Sequence, residues 1–232
     1  MTQNIDTSEV EKFADLAERW WDPKGEFKPL HIINPLRAEF IASRVDLENM
    51  DILDVGCGGG LLCEALFDCN GKISGIDAAG PGIEIAKRHA EDNFKEIHYR
   101  DITAEELVDS ESEKYDVVTC LEVIEHVPDP QSLVTACSNL LKPGGSLFLS
   151  TINRNPRSWI TAIVGAEYIF NILPKGTHEY DKFIKPSELI NMMEANGLEV
   201  KELMGMSYNP ITKNYWLGKN VDVNYLIHAK KI

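Results

Sequence analysis

Glu122-Val123-Ile124-Glu125-His126 puts two carboxylates and an imidazole within five residues. Such a set can take a proton from a phenol, or hold a divalent cation that lowers the pKa of a catechol hydroxyl. Mixed oxygen and nitrogen donors suit manganese or zinc better than magnesium, which they serve tolerably. In the plainer alternative one acid caps the next helix and the other pairs with His126. Upstream, Asp54-Val55-Gly56-Cys57-Gly58-Gly59-Gly60 directly follows Ile52-Leu53 and precedes a helical stretch. Glycines at a strand-to-helix turn permit positive φ and let a ligand approach the backbone closely. Asp77 closes Ile73-Ser74-Gly75-Ile76, about twenty residues beyond the glycines, where a carboxylate can accept both hydroxyls of an adenosine ribose. Alone, it would also read as a helix cap. Asp101 sits where an adenine amino group could be bound, or where it could cap a helix beginning near Thr103.

These residues meet only if the elements that carry them are strands of one sheet. From Asp51 the chain alternates short apolar runs with helical stretches, which predicts strands at 52–55, 72–76, 97–99, 115–121 and 146–151. Helices are expected between them at 61–68, 82–92, near Glu105 and at 131–141. Apolar strands separated by helices imply parallel β-α-β units buried on both faces. Pro186 to Asn196 reads as a helix, and Leu198 to Tyr208 and Val221 to Ala229 as strands joined without a crossover, hence an antiparallel edge hairpin. The class is α/β, a Rossmann-like doubly wound sheet of seven mostly parallel strands. Its parts are a helical cap over 1–50 (Ser8 to Trp20 and Pro35 to Val45), a core over 51–151, an inserted lid over 152–186 and a closing unit over 187–232. Ligands of open parallel sheets bind beyond the carboxyl ends of the strands, so Glu122, Glu125 and His126 face the same crevice as the glycines.

Composition narrows the partners. At 232 residues with 44% hydrophobic content, the chain is sized for a single domain or a domain with a small cap, which excludes collagen and coiled coils. The net charge of −14 repels a phosphate backbone, so nucleic acid is not expected as a partner. Cys57, Cys63, Cys69, Cys120 and Cys137 are odd in number and lack a C-x-x-C spacing, so they read as reduced, mostly buried thiols rather than disulfides or a zinc site. The opening residues carry no secretory or transit pattern, and cytoplasm is the default.

The glycine segment does not continue as a dinucleotide fingerprint, because the third glycine would fall at Leu61; a nicotinamide-dependent dehydrogenase loses ground accordingly. It matches D-x-G-x-G-x-G, the first motif of Rossmann-like S-adenosylmethionine-dependent methyltransferases, with Asp54, Gly56 and Gly58 beside the cofactor. Beyond that motif, Trp20 to His31, Ile33 to Arg37, Glu125 to Pro130, Asn153 to Asn155, Val164 to Tyr168, Pro174 to His178 and Val221 to Tyr225 resemble the ubiquinone-biosynthesis O-methyltransferase family over nearly the whole chain. The resemblance implies a polyprenylated phenol or catechol substrate methylated on a ring hydroxyl at two steps, those of 2-polyprenyl-6-hydroxyphenol and 3-demethylubiquinol. It implies S-adenosyl-L-methionine contacts at Arg37, Gly56, Asp77 and Leu121, and magnesium ligands at Glu122, Glu125 and His126. One departure is the helix start Ala78-Ala79-Gly80-Pro81, more flexible than the family pattern. Other small-molecule methyl transfer, or a noncatalytic scaffold among other ubiquinone-biosynthesis enzymes, are the alternatives.

The stretch 158–174 is the longest apolar run, too short and too interrupted by Glu167 to span a bilayer, which needs about 20 apolar residues. Within 152–186 the bases Arg154, Arg157, Lys175, Lys182 and Lys185 outnumber Glu167, Glu179 and Asp181. An apolar helix flanked by cations binds an anionic membrane surface, here the inner membrane face, and the same run could instead pack over the substrate pocket.

Overall fold

Runs of valine, isoleucine and leucine bounded by aspartate and glycine become the central strands. The computed structural model describes residues 4–158, 180–209 and 214–232. Among these, β1 (Asp51–Val55), β2 (Lys72–Asp77), β3 (His98–Asp101), β4 (Tyr115–Leu121), β5 (Leu141–Ile152), β6 (Leu198–Asn209), β7 (Asn214–Gly218) and β8 (Asn224–Lys231) form one sheet in the order β3-β2-β1-β4-β5-β8-β6-β7. Strands β1 to β5 are parallel. β8 inserts antiparallel between β5 and β6, and β7 closes the edge antiparallel to β6.

The helices are α1 (Thr7–Leu16), α2 (Lys28–Ala42), α3 (Leu61–Phe67), α4 (Gly80–Asp92), α5 (Ala104–Glu111), α6 (Pro130–Leu140), the single turn α7 (Pro156–Ser158) and α8 (Pro186–Glu194). Strand periodicity assigns alternate residues to opposite faces. Leu53, Val118 and Leu149 pack with α5, α6 and α8, while Ile52, Val117 and Phe148 pack with α2, α3 and α4. Both faces are therefore covered, as continuous apolar strands require. Cys57, Cys63, Cys120 and Cys137 are buried and Cys69 partly so, all as free thiols. A third cluster, with Ala17, Trp20, Phe27 and Ile85, roots the N-terminal cap on α4.

Several features differ from expectation, among them β5, which begins at Leu141. The second cap helix begins at Lys28 and runs through Pro35 instead of starting there. Proline lacks an N–H and disfavours a helix interior, but the buried Ile33, Asn34 and Arg37 hold α2 against the domain. The sheet has an eighth strand, because β7 is a five-residue edge strand, too short to stand out between apparent loops. It pairs from Gly205↔Gly218 to Asn209↔Asn214, leaving Trp216 47% exposed. The helix α4 starts two residues early, at Gly80, with Pro81 in its first turn, where the missing N–H costs nothing. Of the expected lid, 159–179 lie outside the described residues, as does nearly all of 158–174.

Candidate active site

β1 ends at Val55 and the chain turns through Gly56 to Gly60 before entering α3. Gly58 has φ +52°, and a Cβ there would collide with the Trp20 indole. The loop is thus pressed between the sheet and the N-terminal cap, whose Trp21 also donates its indole N–H to the Gly59 carbonyl at 2.9 Å. Asp77 brackets the loop from below: Oδ2 accepts the Gly58 N–H at 2.8 Å and Oδ1 the Ala79 N–H at 2.7 Å. Desolvation pushes its carboxyl up, against the pull of those two donors. Asp54 is buried, accepts the Thr119 hydroxyl at 2.6 Å and lies 3.4 Å from the Cys63 thiol. Burial raises it to about 6.

Above these groups opens a cavity of about 770 Å³, lined by Arg37, Asp54, Gly56, Gly58, Asp77 and Leu121, and by Glu122, Glu125 and His126 on the far side. Asp101 is exposed and does not line it. It pairs in register with Asp77 across β2 and β3, and Thr103, not Asp101, caps α5. Arg37 comes from α2 and is 6% exposed. Among the described residues its Nε and Nη2 make no hydrogen bond, and Nη2 lies 3.5 Å from Glu122 Oε1. A buried guanidinium with donors to spare at a cavity wall is matched to a carboxylate ligand. With the glycine backbone and Asp77 opposite, the donor set fits the amino-acid and ribose groups of S-adenosylmethionine.

The chain leaves β4 through Glu122, whose φ of +59° lies in the left-handed region. Glu122 and Ser150 hold each other: the Ser150 hydroxyl donates to Oε1 at 2.6 Å and accepts the Glu122 N–H at 3.1 Å. Glu125, on the short turn Ile124–His126, is 3% exposed, and among the described residues neither carboxyl oxygen has a hydrogen-bond partner. Burial, then the Glu122 charge, raises it to about 7. His126 Nδ1 lies 2.7 Å from Oε2 of Glu9, across 117 residues of sequence. Burial alone would lower the imidazole, but the bond to Glu9 and the charges of Glu125 and Glu122 raise it. Glu9 is held low chiefly by His126.

The three groups expected to hold magnesium do not converge. Glu122 is turned to Ser150 and Arg37 and His126 to Glu9, and among the described residues no cluster of three acids, histidines or cysteines is placed to hold a metal ion. The donor set as arranged does not fit a divalent cation. Sequence reasoning missed Glu9 and the packing of Trp20 on the loop. The available signal was an acid on the apolar stripe of the first helix, one turn before Phe13.

A methyltransferase domain model matches residues 11–203. The ubiquinone biosynthesis O-methyltransferase of Marinobacter nauticus is 56% identical over 98% of this chain and 97% of its own, and that of Saccharophagus degradans 53% identical over 99% and 98%. The crystal structure of magnesium protoporphyrin IX methyltransferase from Synechocystis PCC 6803 with bound S-adenosylmethionine superposes with a TM-score of 0.66 at 15% identity, covering both chains completely. A dehydrogenase reading of the glycine loop has no support in these likenesses. The glycine loop, the open guanidinium of Arg37 and the full-length kinship agree, and the chain belongs to the ubiquinone biosynthesis O-methyltransferase family.

Proposed function

We propose that the protein transfers a methyl group from S-adenosylmethionine to a ring hydroxyl of polyprenylated catechol-type intermediates in ubiquinone biosynthesis, with His126 as the general base. The observation that carries the base assignment is the 2.7 Å contact between His126 Nδ1 and Glu9 at the cavity wall. S-adenosylmethionine, when bound, supplies an electrophilic methyl on a cationic sulfur. Arg37 binds its carboxylate, the glycine loop admits it to the backbone, and Asp77 takes the ribose hydroxyls. His126 Nε2 receives the phenolic proton, and the oxygen left behind is the nucleophile. Holding both reactants in line supplies much of the rate. No step is routed through a cation.

The test is methyl transfer from labelled S-adenosylmethionine to a short-chain prenyl catechol. His126→Ala is expected to lower kcat by about 10²- to 10⁴-fold, the usual worth of a general base, with cofactor affinity little changed. Near-full turnover in that variant removes His126 from the chemistry.

No helix among the described residues is long and apolar enough to cross a membrane. A polyprenyl tail is insoluble, so the reading includes a cytoplasmic enzyme meeting its substrate at an anionic membrane surface through 158–174. Flotation with anionic vesicles at low salt is expected for the wild type and lost in Trp159→Glu plus Ile163→Glu; equal flotation of both removes the segment as anchor.

A further inference from the structure

We propose that Glu9 is a positioning residue for methyl transfer, fixing the tautomer and orientation of the His126 ring from the N-terminal cap. The inference rests on His126 being the base and goes beyond it by assigning a residue outside the sheet. An ionised carboxylate only accepts hydrogen bonds, so at 2.7 Å from Oε2 the His126 Nδ1 must carry the proton. In the neutral ring Nε2 is then left with its lone pair, as the acceptor a base requires.

Neighbours in the cap and Lys182 beyond it hold Glu9 in that pose. Its other oxygen, Oε1, faces Lys12 at 3.6 Å and Lys182 at 3.9 Å. Lys182 also reaches Asp6 at 3.1 Å, and Asp6 caps α1 through the Ser8 N–H and hydroxyl. Phe13, one turn beyond Glu9, meets the imidazole edge-on with centroids 5.3 Å apart and planes at 89°. Glu9 and Phe13 thus grip two sides of one ring. A surface helix has no need to bury a carboxylate, and Glu9 is only 8% exposed. A mere tether for the cap could use any apolar residue at this place.

The decisive variant is Glu9→Gln in the full chain. It keeps the size of the side chain and a hydrogen bond to the ring, but its amide can donate to Nδ1 and release the proton to Nε2. We expect kcat to fall about 10- to 100-fold, less than for loss of the base itself, while KM for S-adenosylmethionine and Tm stay near wild type. Nitrogen-15 NMR of the neutral His126 ring is expected to show the proton on Nδ1 in the wild type and at least partly on Nε2 in the variant. Unchanged kcat, an unchanged tautomer, or a loss that follows Tm and KM instead of kcat overturns the proposal. His126→Ala, run beside it, separates the two readings. If that variant keeps turnover, the base assignment falls and takes the role of Glu9 with it. If it loses turnover while Glu9→Gln does not, only the positioning role falls.

Discussion

Asp54 and Asp77 stand on one wall of the cavity and Glu125 on the other; Asp54 and Glu125 are buried and Asp77 partly so, yet the two walls are in opposite conditions. Asp54 accepts a hydroxyl, and Asp77 accepts two backbone N–H groups. Glu125 has no hydrogen-bond partner at either oxygen among the described residues. Buried polar groups are ordinarily paired, because an orphan forfeits its hydration without return. The hydrogen bonds of the paired carboxylates are therefore part of the fold, bracing the turn between β1 and α3. The unpaired one is a group the fold holds at a cost, on the opposite side of the cavity. Arg37 is the counterpart with opposite charge: among the described residues its Nε and Nη2 make no hydrogen bond, with Glu122 Oε1 3.5 Å away.

The comparison is most easily broken on the loop wall. Gly58→Ala combines a left-handed φ with a collision against Trp20, and about 3 to 4 kcal/mol of stability should be lost. Adding Trp20→Ala should return part of that loss, which a double-mutant cycle by denaturant unfolding reads directly. Strictly additive losses would mean that the cap does not press on the loop. Asp77→Ala comes next. It frees two backbone N–H groups and the ribose acceptor, so about 2 to 3 kcal/mol of stability should go, and S-adenosylmethionine binding should weaken by about 1 to 3 kcal/mol. Calorimetry and thermal unfolding check both halves. Lost stability with unchanged affinity would leave Asp77 as a bracket for the loop alone.

The paired wall is also the one that was legible in sequence. A strand, a glycine turn and an acid at the end of the next strand are local patterns, and β4 runs from Tyr115 to Leu121 as its apolar run indicates. The other wall depends on contacts between distant segments. Nothing in Glu122-Val123-Ile124-Glu125-His126 announces that Ser150 will hold the first acid, that Glu9 will hold the histidine, or that Glu125 will be left alone. The cluster was visible as chemistry, but its division into separate pairs was not, and so it could also be read as one cation site. Similarly, β7 exists through its pairing with β6 more than through its own residues, and α2 passes Pro35 because the buried face of that helix outweighs the missing hydrogen bond.

Glu125→Gln tests the unpaired wall with the smallest expected change and the opposite sign. The carboxyl titrates at about 7 in the folded protein against 4.5 in the unfolded chain. A raised folded pKa means that its contribution to stability is fully present below 4.5 and is lost as pH climbs through about 7. Glutamine has nearly the same shape and no proton to lose. The variant should therefore match the wild type near pH 4.5 and become the more stable protein by about 1 to 2 kcal/mol at pH 8, a share of the full linkage once Glu122 and nearby solvent are allowed for. Asp54 shifts in the same direction but is present in both proteins, so the difference between their unfolding curves isolates Glu125. A variant that is equally or less stable at pH 8 would show the carboxylate to be satisfied after all. Repeating the measurement with excess magnesium asks by what. Stabilisation of the wild type and not of the variant would identify a cation as the partner, and the pairs Glu122–Arg37 and His126–Glu9 would then have to open to admit it.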